Sequence, residues 1–233
     1  MVNNVLIILP AFNEEQSIKN VIESIQVLEN DYDILVIDDC STDNTYLVSS
    51  KMVPTLKLSK NLGIGGAVQT GIKYAKMYNY QFCIQIDGDG QHLAREIPLL
   101  LDKYNDSNAS IIIGSRYLDK KSFRSTFLRR FGSKIISLSI MIFFKGKKIS
   151  DPTSGMRLLD KKSISIFCNH YPADFPEPVS IAWALKSGLD VSETTVEMSE
   201  RQYGETSIQG LNTVIYMIKV IFYIILARFF SII

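Results

Sequence analysis

The chain has 233 residues, of which 46% are hydrophobic and 21% are charged, and its formal net charge is +1. This composition is typical of a globular protein with enough chain for a substantial core, in one large or two small domains. Its three cysteines, an odd number without CxxC spacing, exclude a disulfide framework and indicate reduced, buried thiols in a cytosolic compartment. No basic region precedes the first apolar run, so we expect no signal peptide.

The nearly neutral total charge hides a strong asymmetry along the chain. Residues 1–100 contain 7 Lys and Arg against 12 Asp and Glu, whereas residues 116–148 contain 10 Lys and Arg against Asp119 alone. An acidic part suited to a metal ion therefore precedes a basic segment suited to anions.

The first half of the chain alternates apolar runs with segments of helical periodicity. Runs at residues 5–9, 34–37, 82–86 and 110–113 predict buried strands, and residues 56–59 predict a shorter one. Helices are predicted after the first strand, with apolar residues at 18, 21, 22 and 25, and then up to about residue 77 and near residues 97–104. This βα alternation predicts a parallel, doubly wound α/β sheet.

Polar clusters follow the ends of these predicted strands, at residues 10–15, 38–43, 61–67, 87–92 and 114–116. Ligands bind at the carboxyl ends of strands in sheets of this kind, so several clusters in corresponding positions predict a site. Gly63, Gly65 and Gly66 resemble a phosphate-binding loop, but their spacing does not match the dinucleotide fingerprint.

The strand at 82–86 stops at two acids, Asp87 and Asp89, each followed by glycine, with Gln91 two residues further on. Carboxylate and amide oxygens suit Mg²⁺ or Mn²⁺. A solvated β-turn is the alternative, because Asp-Gly is a common turn pair. An EF-hand is excluded, because His92 and Pro98 occupy the positions that would need Gly and Glu.

The second half contains two long apolar segments. Residues 135–144 lie between lysines and suit either a helix in the membrane headgroup region or a core helix with charged ends. Residues 211–233 are apolar except at a few positions, chiefly Asn212, Thr213, Lys219 and Arg228. A charge near the middle disfavours a simple span, so we expect a membrane-associated helix there rather than a spanning one.

Taken together, the motifs resemble those of the family 2 glycosyltransferases of GT-A fold, within the group of polyprenyl-phosphate glycosyltransferases similar to dolichol-phosphate-mannose synthase. The resemblance runs from Leu6 to about Ile208 and rests on six motifs in order: PAFNE (10–14), DDCSTD (38–43), DGDGQH (87–92), GSRY (114–117), DPTSG (151–155) and RQYG (201–204). It implies a GT-A domain over residues 1–208, including a possible interfacial helix at 134–149, and a membrane-associated helix over 209–233.

The resemblance also implies roles for the matching residues. Those implied to bind the donor are Pro10, Phe12, Glu14, Asp39, Asp87, Gly88 and Arg201. Those implied to bind the acceptor phosphate are Arg116, Arg129 and Ser133, of which the last two share one helical face. The implied metal ligands are Asp89 and Gln91, and the implied catalytic residues are Asp89, Asp151 and Arg116.

Two departures from the family pattern stand out. Many relatives follow the motif at 201–204 with Ser-Lys, where this chain has Glu205-Thr206, so a phosphate contact from that lysine is missing. The Pro-Glu-Pro element around Glu177 resembles a short bacterial branch whose members often work beside a small membrane protein. Glu177 suits either a place on the acceptor side or that of a helix N-terminal acid.

The leading hypothesis is an inverting, metal-dependent glycosyltransferase that uses Mg²⁺ or Mn²⁺. It would move a sugar, with glucose or N-acetylglucosamine favoured, from a UDP-sugar to undecaprenyl phosphate at the cytoplasmic face of a bacterial membrane. The product would serve cell-surface polysaccharide modification. The alternatives are a glycosyltransferase that elongates a cell-surface glycan through a hydroxyl acceptor, and a non-catalytic, membrane-attached nucleotide-sugar-binding protein. A small membrane-protein partner and a homo-oligomer are compatible with this hypothesis, and we expect no nucleic-acid partner.

Overall fold

A computed structural model of the chain describes residues 4–28, 32–119, 127–144, 146–199 and 211–230, with the backbone alone described at 127–129 and 211–214. Its centre is a seven-stranded sheet in the order β3-β2-β1-β4-β6-β5-β7. The strands are β1 (Val5–Ala11), β2 (Asp33–Asp38), β3 (Thr55–Lys57), β4 (Phe82–Gln85), β5 (Ile111–Ser115), β6 (Arg157–Asp160) and β7 (Val191–Thr195).

Helices cover both faces of this sheet, and a 3-10 turn (Ala94–Glu96) leads into one of them. The helices are α1 (Ile18–Gln26), α2 (Thr45–Ser49), α3 (Gly63–Met77), α4 (Ile97–Ser107), α5 (Phe127–Phe143), α6 (Lys161–Phe167), α7 (Pro176–Lys186) and α8 (Leu211–Phe229).

The predicted parallel sheet is confirmed for the first half of the chain. β1 pairs in parallel with both β2 and β4, and β2 pairs in parallel with β3. Successive residues of a strand point to opposite faces, so Leu6 and Ile8 pack on the side of α3, whereas Ile7 and Leu9 pack on the side of α1 and α4. Both faces are therefore buried, as the continuous apolar run of β1 indicates.

The second half departs from the predicted alternation. β6 inserts between β4 and β5 and is antiparallel to both, and β7 adds a further parallel edge next to β5. Neither β6 nor β7 was predicted from the sequence. A short apolar run does not determine in which direction a strand runs or which strands lie beside it. The sheet is consequently mostly parallel, with one reversed strand.

α5 and α8 pack against each other, and each has one buried and one exposed apolar side. Val220, Ile224 and Ala227 of α8 are buried, and α8 contacts both α5 and α7. The opposite sides form the α5–α8 apolar face, which consists of Phe131, Leu138, Ile142, Ile215, Ile218, Phe222 and Phe229, all about half exposed or more. α5 therefore packs one side on the core, and the placement of its exposed apolar side in the headgroup region of a membrane stays a prediction.

Among the described residues, none of the helices combines the length and apolar character that crossing a bilayer requires. The expected boundary between residues 208 and 209 lies outside the described residues. Cys83 and Cys168 are buried as predicted, but Cys40 is partly exposed, because it lies in the loop after β2 with a φ of +61°.

Candidate functional site

A cavity of about 990 Å³ opens where β1, β2 and β4 end. Because these strands are parallel neighbours, the loops that follow them meet at one edge of the sheet. Of the residues predicted to bind the donor or the metal, seven line the cavity: Pro10, Phe12, Glu14, Asp39, Asp87, Gly88 and Asp89. The fold thus gathers motifs that are far apart in sequence into one pocket.

Hydrogen bonds between the loops after β1 and β2 hold one wall of the pocket. The backbone N–H of Asn13 donates to Ser41 Oγ (3.0 Å), and that of Glu14 donates to Thr45 Oγ1 (2.8 Å). In return, the backbone N–H of Thr42 donates to Asn13 Oδ1 (2.9 Å). Asn13 has a φ of +56°, which asparagine tolerates better than most residues. The short polar side chains of these motifs therefore fix the loop geometry.

Asp39 joins this wall to the loop before α3. Its N–H donates to the Ala11 carbonyl (2.9 Å), and its Oδ1 accepts from the Leu62 N–H (2.7 Å). Burial raises the pKa of Asp39, the N–H groups of Leu62 and Gly63 lower it in part, and the nearby charge of Asp38 raises it again. The net pKa of Asp39 is raised, so its surroundings in the fold disfavour the ionised carboxylate.

Asp43, in the same loop, has the opposite electrostatic character. Burial acts to raise its pKa, but hydrogen bonds from the hydroxyl and N–H of Thr45 and from the N–H of Glu15 outweigh burial, and the net pKa is lowered. Asp43 therefore stabilises the loop as a carboxylate.

Hydrogen bonds to neighbouring residues hold the acidic turn after β4. The N–H of Asp87 donates to Nδ1 of the buried His92 (3.0 Å), and the N–H of Gly88 donates to the Pro10 carbonyl (3.3 Å). Ser17 Oγ donates to the Gly88 carbonyl (2.8 Å). These bonds fix the backbone of the turn and direct it toward the cavity.

Oxygen donors at this turn fit a hard divalent cation. Asp87 and Asp89 are partly exposed carboxylates, and the N–H of Gln91 donates to Asp89 Oδ1 (3.0 Å), which keeps the two residues together. In the described part of the chain there is no cluster of three or more His, Cys, Asp or Glu that could hold a metal. One or two carboxylates that share the ion with water and substrate phosphates are what Mg²⁺ usually uses, so the residues fit such an ion.

Gly155 lets the loop before β6 lie directly against Asp87. A Cβ at this position would approach Asp87 Oδ2 to 2.8 Å and His92 Cε1 to 3.2 Å, which is closer than side chains can come without a shift. Because the glycine of the DPTSG motif has no side chain, this loop can lie close to the acidic turn.

Arg116 and Asp151 form a buried ion pair beside the acidic turn. Arg116 Nε and Nη2 donate to the two carboxylate oxygens of Asp151 at 2.6 and 2.7 Å, and the N–H groups of Ser150 and Asp151 donate to Glu193. Burial acts to lower the pKa of Arg116, but Asp151 raises it more strongly and Asp87 adds to the rise. With both oxygens bound to a guanidinium, Asp151 is arranged to orient Arg116 rather than to accept a proton.

The remaining residues predicted to bind the acceptor phosphate or to clamp the donor are described only in part. Ser133 is buried on α5, with its Oγ 3.5 Å from the Ser150 carbonyl, so it lies next to the turn that carries Asp151. The backbone of Arg129 lies one turn earlier on α5, but its side chain is outside the described residues, as is all of Arg201.

Three functional neighbours were missed by the sequence analysis. Gln85 Nε2 donates to Asp87 Oδ1 (3.3 Å), Glu193 supports the turn at Asp151, and Arg157 is almost completely buried beneath the site. Arg157 lies within a short apolar run. A charged residue in such a strand-like run is the sequence signal that could have identified it.

The family model described as "Glycosyl transferase family 2" matches residues 6–167 of the chain. A Methanococcus voltae protein named UDP-N-acetylglucosamine–dolichyl-phosphate N-acetylglucosaminyltransferase is 27% identical, with 91% of each chain covered. A Micrococcus luteus protein named undecaprenyl-phosphate mannosyltransferase is 25% identical, with 88% of each chain covered.

The fold is similar to that of Mycobacterium tuberculosis glucosyl-3-phosphoglycerate synthase, whose crystal structure contains Mn²⁺ and UDP. The TM-score is 0.70 at 16% identity, and the match covers 97% of this chain and 80% of the other. The mostly parallel seven-stranded sheet flanked by helices is therefore a GT-A fold.

Proposed function

This chain belongs to glycosyltransferase family 2, and we propose that it transfers a sugar from a UDP-sugar to undecaprenyl phosphate, with inversion at the anomeric carbon. The observation that carries this proposal is the position of the buried Arg116–Asp151 pair beside Asp87. Arg116 Nη2 also donates to Thr153 Oγ1 (2.9 Å), in the loop whose Gly155 lies against Asp87, so a fixed cation lies near the acidic end of the cavity.

The donor side suits a nucleotide diphosphate sugar. Phe12 exposes 46% of its surface at the cavity and offers a ring face on which a base can stack. Asp89 and Gln91 would hold Mg²⁺ or Mn²⁺, which supplies positive charge against the diphosphate that leaves. The M. tuberculosis structure with UDP and Mn²⁺ supports this assignment by fold, and the name of the M. voltae relative favours N-acetylglucosamine among the candidate sugars.

The acceptor side suits a phosphate rather than a neutral hydroxyl. A lipid phosphate is already ionised near neutral pH, so it needs cationic positioning against a repelling diphosphate more than it needs a general base. Arg116 offers a rigid guanidinium, and Asp151, the nearest buried carboxylate to it, is already paired with that guanidinium. Attack on the face opposite the diphosphate would invert the anomeric centre.

The α5–α8 apolar face supports a position on the cytoplasmic surface of the membrane. Neither helix contains Asp or Glu, and Lys134, Lys219 and Arg228 are exposed beside the apolar residues. Apolar side chains rimmed by cations suit the boundary between anionic headgroups and acyl chains.

Transfer can be tested with purified protein, undecaprenyl phosphate and Mn²⁺, using labelled UDP-glucose, UDP-N-acetylglucosamine and GDP-mannose in turn. We expect label from one UDP-sugar in the organic phase, and no label after EDTA is added. Undecaprenol is the matched control acceptor, because it differs only by the phosphate. Equal transfer to undecaprenol, or transfer to a soluble glycan alone, would contradict the proposal and favour the elongation of a glycan.

Membrane docking is tested by sedimentation with vesicles that contain phosphatidylglycerol. Replacing Ile218 and Phe222 together by Glu should reduce the bound fraction at least about tenfold, because two large apolar side chains lose their burial. Leu47→Glu is the control, since Leu47 is 55% exposed but lies on α2. Unchanged binding of the double variant would exclude this face as the docking surface.

A further inference from the structure

Glu193 occupies a position of β7 where the strand pattern would place a core residue. Val191, two residues earlier, is completely buried, and alternate residues of a strand point to the same face. On the neighbouring strand β5, the register partner of Glu193 is Ile113, which belongs to the same buried cluster as Val191. A carboxylate on that face costs free energy unless it is hydrogen-bonded. The groups that bind it therefore indicate what Glu193 does.

Both oxygens of the Glu193 carboxylate bind one turn in the loop between α5 and β6. Oε2 accepts from the N–H of Ser150 (2.7 Å), and Oε1 accepts from the N–H of Asp151 (2.9 Å). A carboxylate offers an acceptor oxygen to each of these N–H groups, whereas an amide side chain has one acceptor oxygen and one donor group. Hydrogen bonds with an ionised acceptor are also the stronger ones. A single side chain of the edge strand β7 therefore fixes this turn to the sheet.

The same turn fixes Arg116 through Asp151, which is fully buried. Asp151 Oδ2 accepts from the backbone N–H (3.0 Å) and from Nε (2.6 Å) of Arg116, and Oδ1 accepts from Nη2 (2.7 Å). Thr153 Oγ1, in the same loop, accepts from Nη2 (2.9 Å) and donates to Asp151 Oδ1 (3.1 Å). Both the backbone and the side chain of Arg116 are bound to this loop, so the position of the guanidinium depends on where the turn lies.

The later residues of this loop have anchors of their own. The buried guanidinium of Arg157 donates to the Pro152 carbonyl (3.1 Å) and to the Ser154 carbonyl (2.8 Å). Ser154 Oγ donates to a backbone carbonyl of β5 (2.6 Å). Loss of the bonds to Glu193 should therefore loosen the start of the loop, where Asp151 lies, without detaching the remainder.

We propose that Glu193 is a positioning residue for the acceptor phosphate, which acts through Asp151 to hold the Arg116 guanidinium in one orientation. This inference rests on the proposed function, in which Arg116 binds that phosphate. A guanidinium recognises a phosphate through N–H groups held in one plane, so its binding depends on orientation as well as on charge. A misplacement of about 1 Å in such a group can cost about 100-fold in rate. Glu193 can therefore affect transfer without touching the acceptor.

The kinetic test compares wild type with Glu193→Gln, which keeps the length of the side chain and loses one acceptor oxygen. We expect KM for undecaprenyl phosphate to rise about 10- to 100-fold, as for loss of a hydrogen bond to a charged group, while the Kd for UDP with Mn²⁺ stays unchanged. A purely structural role would instead reduce the fraction of active enzyme and so lower kcat at an unchanged KM. Glu197→Gln, which alters an exposed acid four residues later, is the matched control and should change neither KM nor Kd.

A spectroscopic measurement tests the positioning without any lipid. Heteronuclear NMR follows the exchange of the Arg116 Nε–H with solvent, and the signal is identified by its loss in Arg116→Lys. In Glu193→Gln this exchange should become about tenfold faster or more, while the backbone N–H groups of the central strand β1 should exchange as in wild type. Glu193→Asp, which keeps both acceptor oxygens on a shorter side chain, should give an intermediate rate.

The two measurements separate this inference from the proposed function. If wild type transfers to no lipid phosphate, the proposed function fails, but faster exchange at Arg116 in Glu193→Gln would still support positioning by Glu193. Unchanged exchange at Arg116 would overturn the inference, and so would an unchanged KM in an enzyme that does transfer to the lipid.

Discussion

The proposed donor side and the proposed acceptor side of this site are held by different kinds of contact. The cavity is assembled from loops within residues 10–89, which are held by many separate hydrogen bonds, such as those at Asn13 and at Asp43. The acceptor side depends on one buried ion pair between Arg116 and Asp151, which are 35 residues apart and are brought together by β5 and β6.

Substitutions on the two sides should therefore differ in whether they mainly change activity or mainly change stability. A donor-side carboxylate at the edge of the cavity can be changed with little effect on folding, because it is partly exposed and its neighbours are held by other bonds. Arg116 or Asp151 cannot be changed in this way, because removing one partner leaves the other charge in a largely buried place without compensation. The following predictions test that contrast.

The largest effect is expected for Asp89→Asn. Loss of a metal-binding carboxylate should lower kcat about 100- to 1,000-fold, as for other groups that stabilise developing charge. The Tm should stay the same, because Asp89 is partly exposed and asparagine can still accept from the Gln91 N–H. Steady-state rates at saturating Mn²⁺ and thermal unfolding measure the two quantities.

The control for this variant is Asp102→Asn, an exposed acid on α4. Turnover by Asp89→Asn at a rate near that of wild type would remove Asp89 from the metal site.

Asp151→Asn should instead act first on folding. It leaves the Arg116 guanidinium buried with one anionic partner removed, so the free energy of unfolding should fall by about 3–5 kcal/mol. Urea denaturation at pH 7 measures this change. Glu197→Gln breaks the exposed pair with Arg95 at 2.8 Å and should change the free energy of unfolding far less, because solvent screens this pair. Similar costs for the two variants would refute the proposed contrast.

Arg129→Ala should weaken the use of the lipid without weakening the donor. Because the resemblance assigns Arg129 to the acceptor phosphate, we expect KM for undecaprenyl phosphate to rise about tenfold or more, as for loss of a charged hydrogen bond. UDP-sugar affinity, measured by calorimetry, should not change. Arg95→Ala, an exposed arginine on the 3-10 turn, is the control. A parallel loss of donor affinity would place Arg129 outside the acceptor site.

The smallest effects compare Asp39 with Asp43, two carboxylates of one loop with opposite pKa shifts. The raised pKa of Asp39 means that its stabilising contribution is present below the unfolded pKa and is lost as pH rises through the folded value. The lowered pKa of Asp43 means that its contribution is present above the unfolded pKa and is lost as pH falls through the folded value.

At pH 7, Asp39→Asn should therefore leave the free energy of unfolding equal or higher, while Asp43→Asn should lower it by about 1 kcal/mol. The Asp39 difference should disappear as the pH falls through its raised pKa toward about 3.9, whereas the Asp43 difference should persist to lower pH, because the pKa of that carboxyl is lowered. Urea denaturation of both variants at the two pH values measures this, and changes of the same sign would contradict the assignment.

Seven of the residues predicted to bind the donor or the metal line one cavity, while their role in donor binding stays a prediction. β1, β2 and β4 are apolar runs that end in polar motifs, and such strands bring their carboxyl ends to one edge. Asp39, Asp87 and Asp89 could therefore be assigned to one pocket before any contact was known. The opposite pKa shifts of Asp39 and Asp43 could not be predicted from the sequence, since burial and N–H donors depend on the folded loops.

The sequence by itself determined the family, the parallel alternation of the first half of the chain and seven residues that line the cavity, because these depend on local periodicity and on motifs that follow strands. Only the tertiary structure decided that β6 runs antiparallel between β4 and β5, that Asp151 is bound by Arg116, and that Arg157 donates to Ser180 of α7. The physical reason is that a buried charge takes its partner from whichever strand or loop lies next to it. Strand order and direction, which set those neighbours, arise from packing over the whole chain.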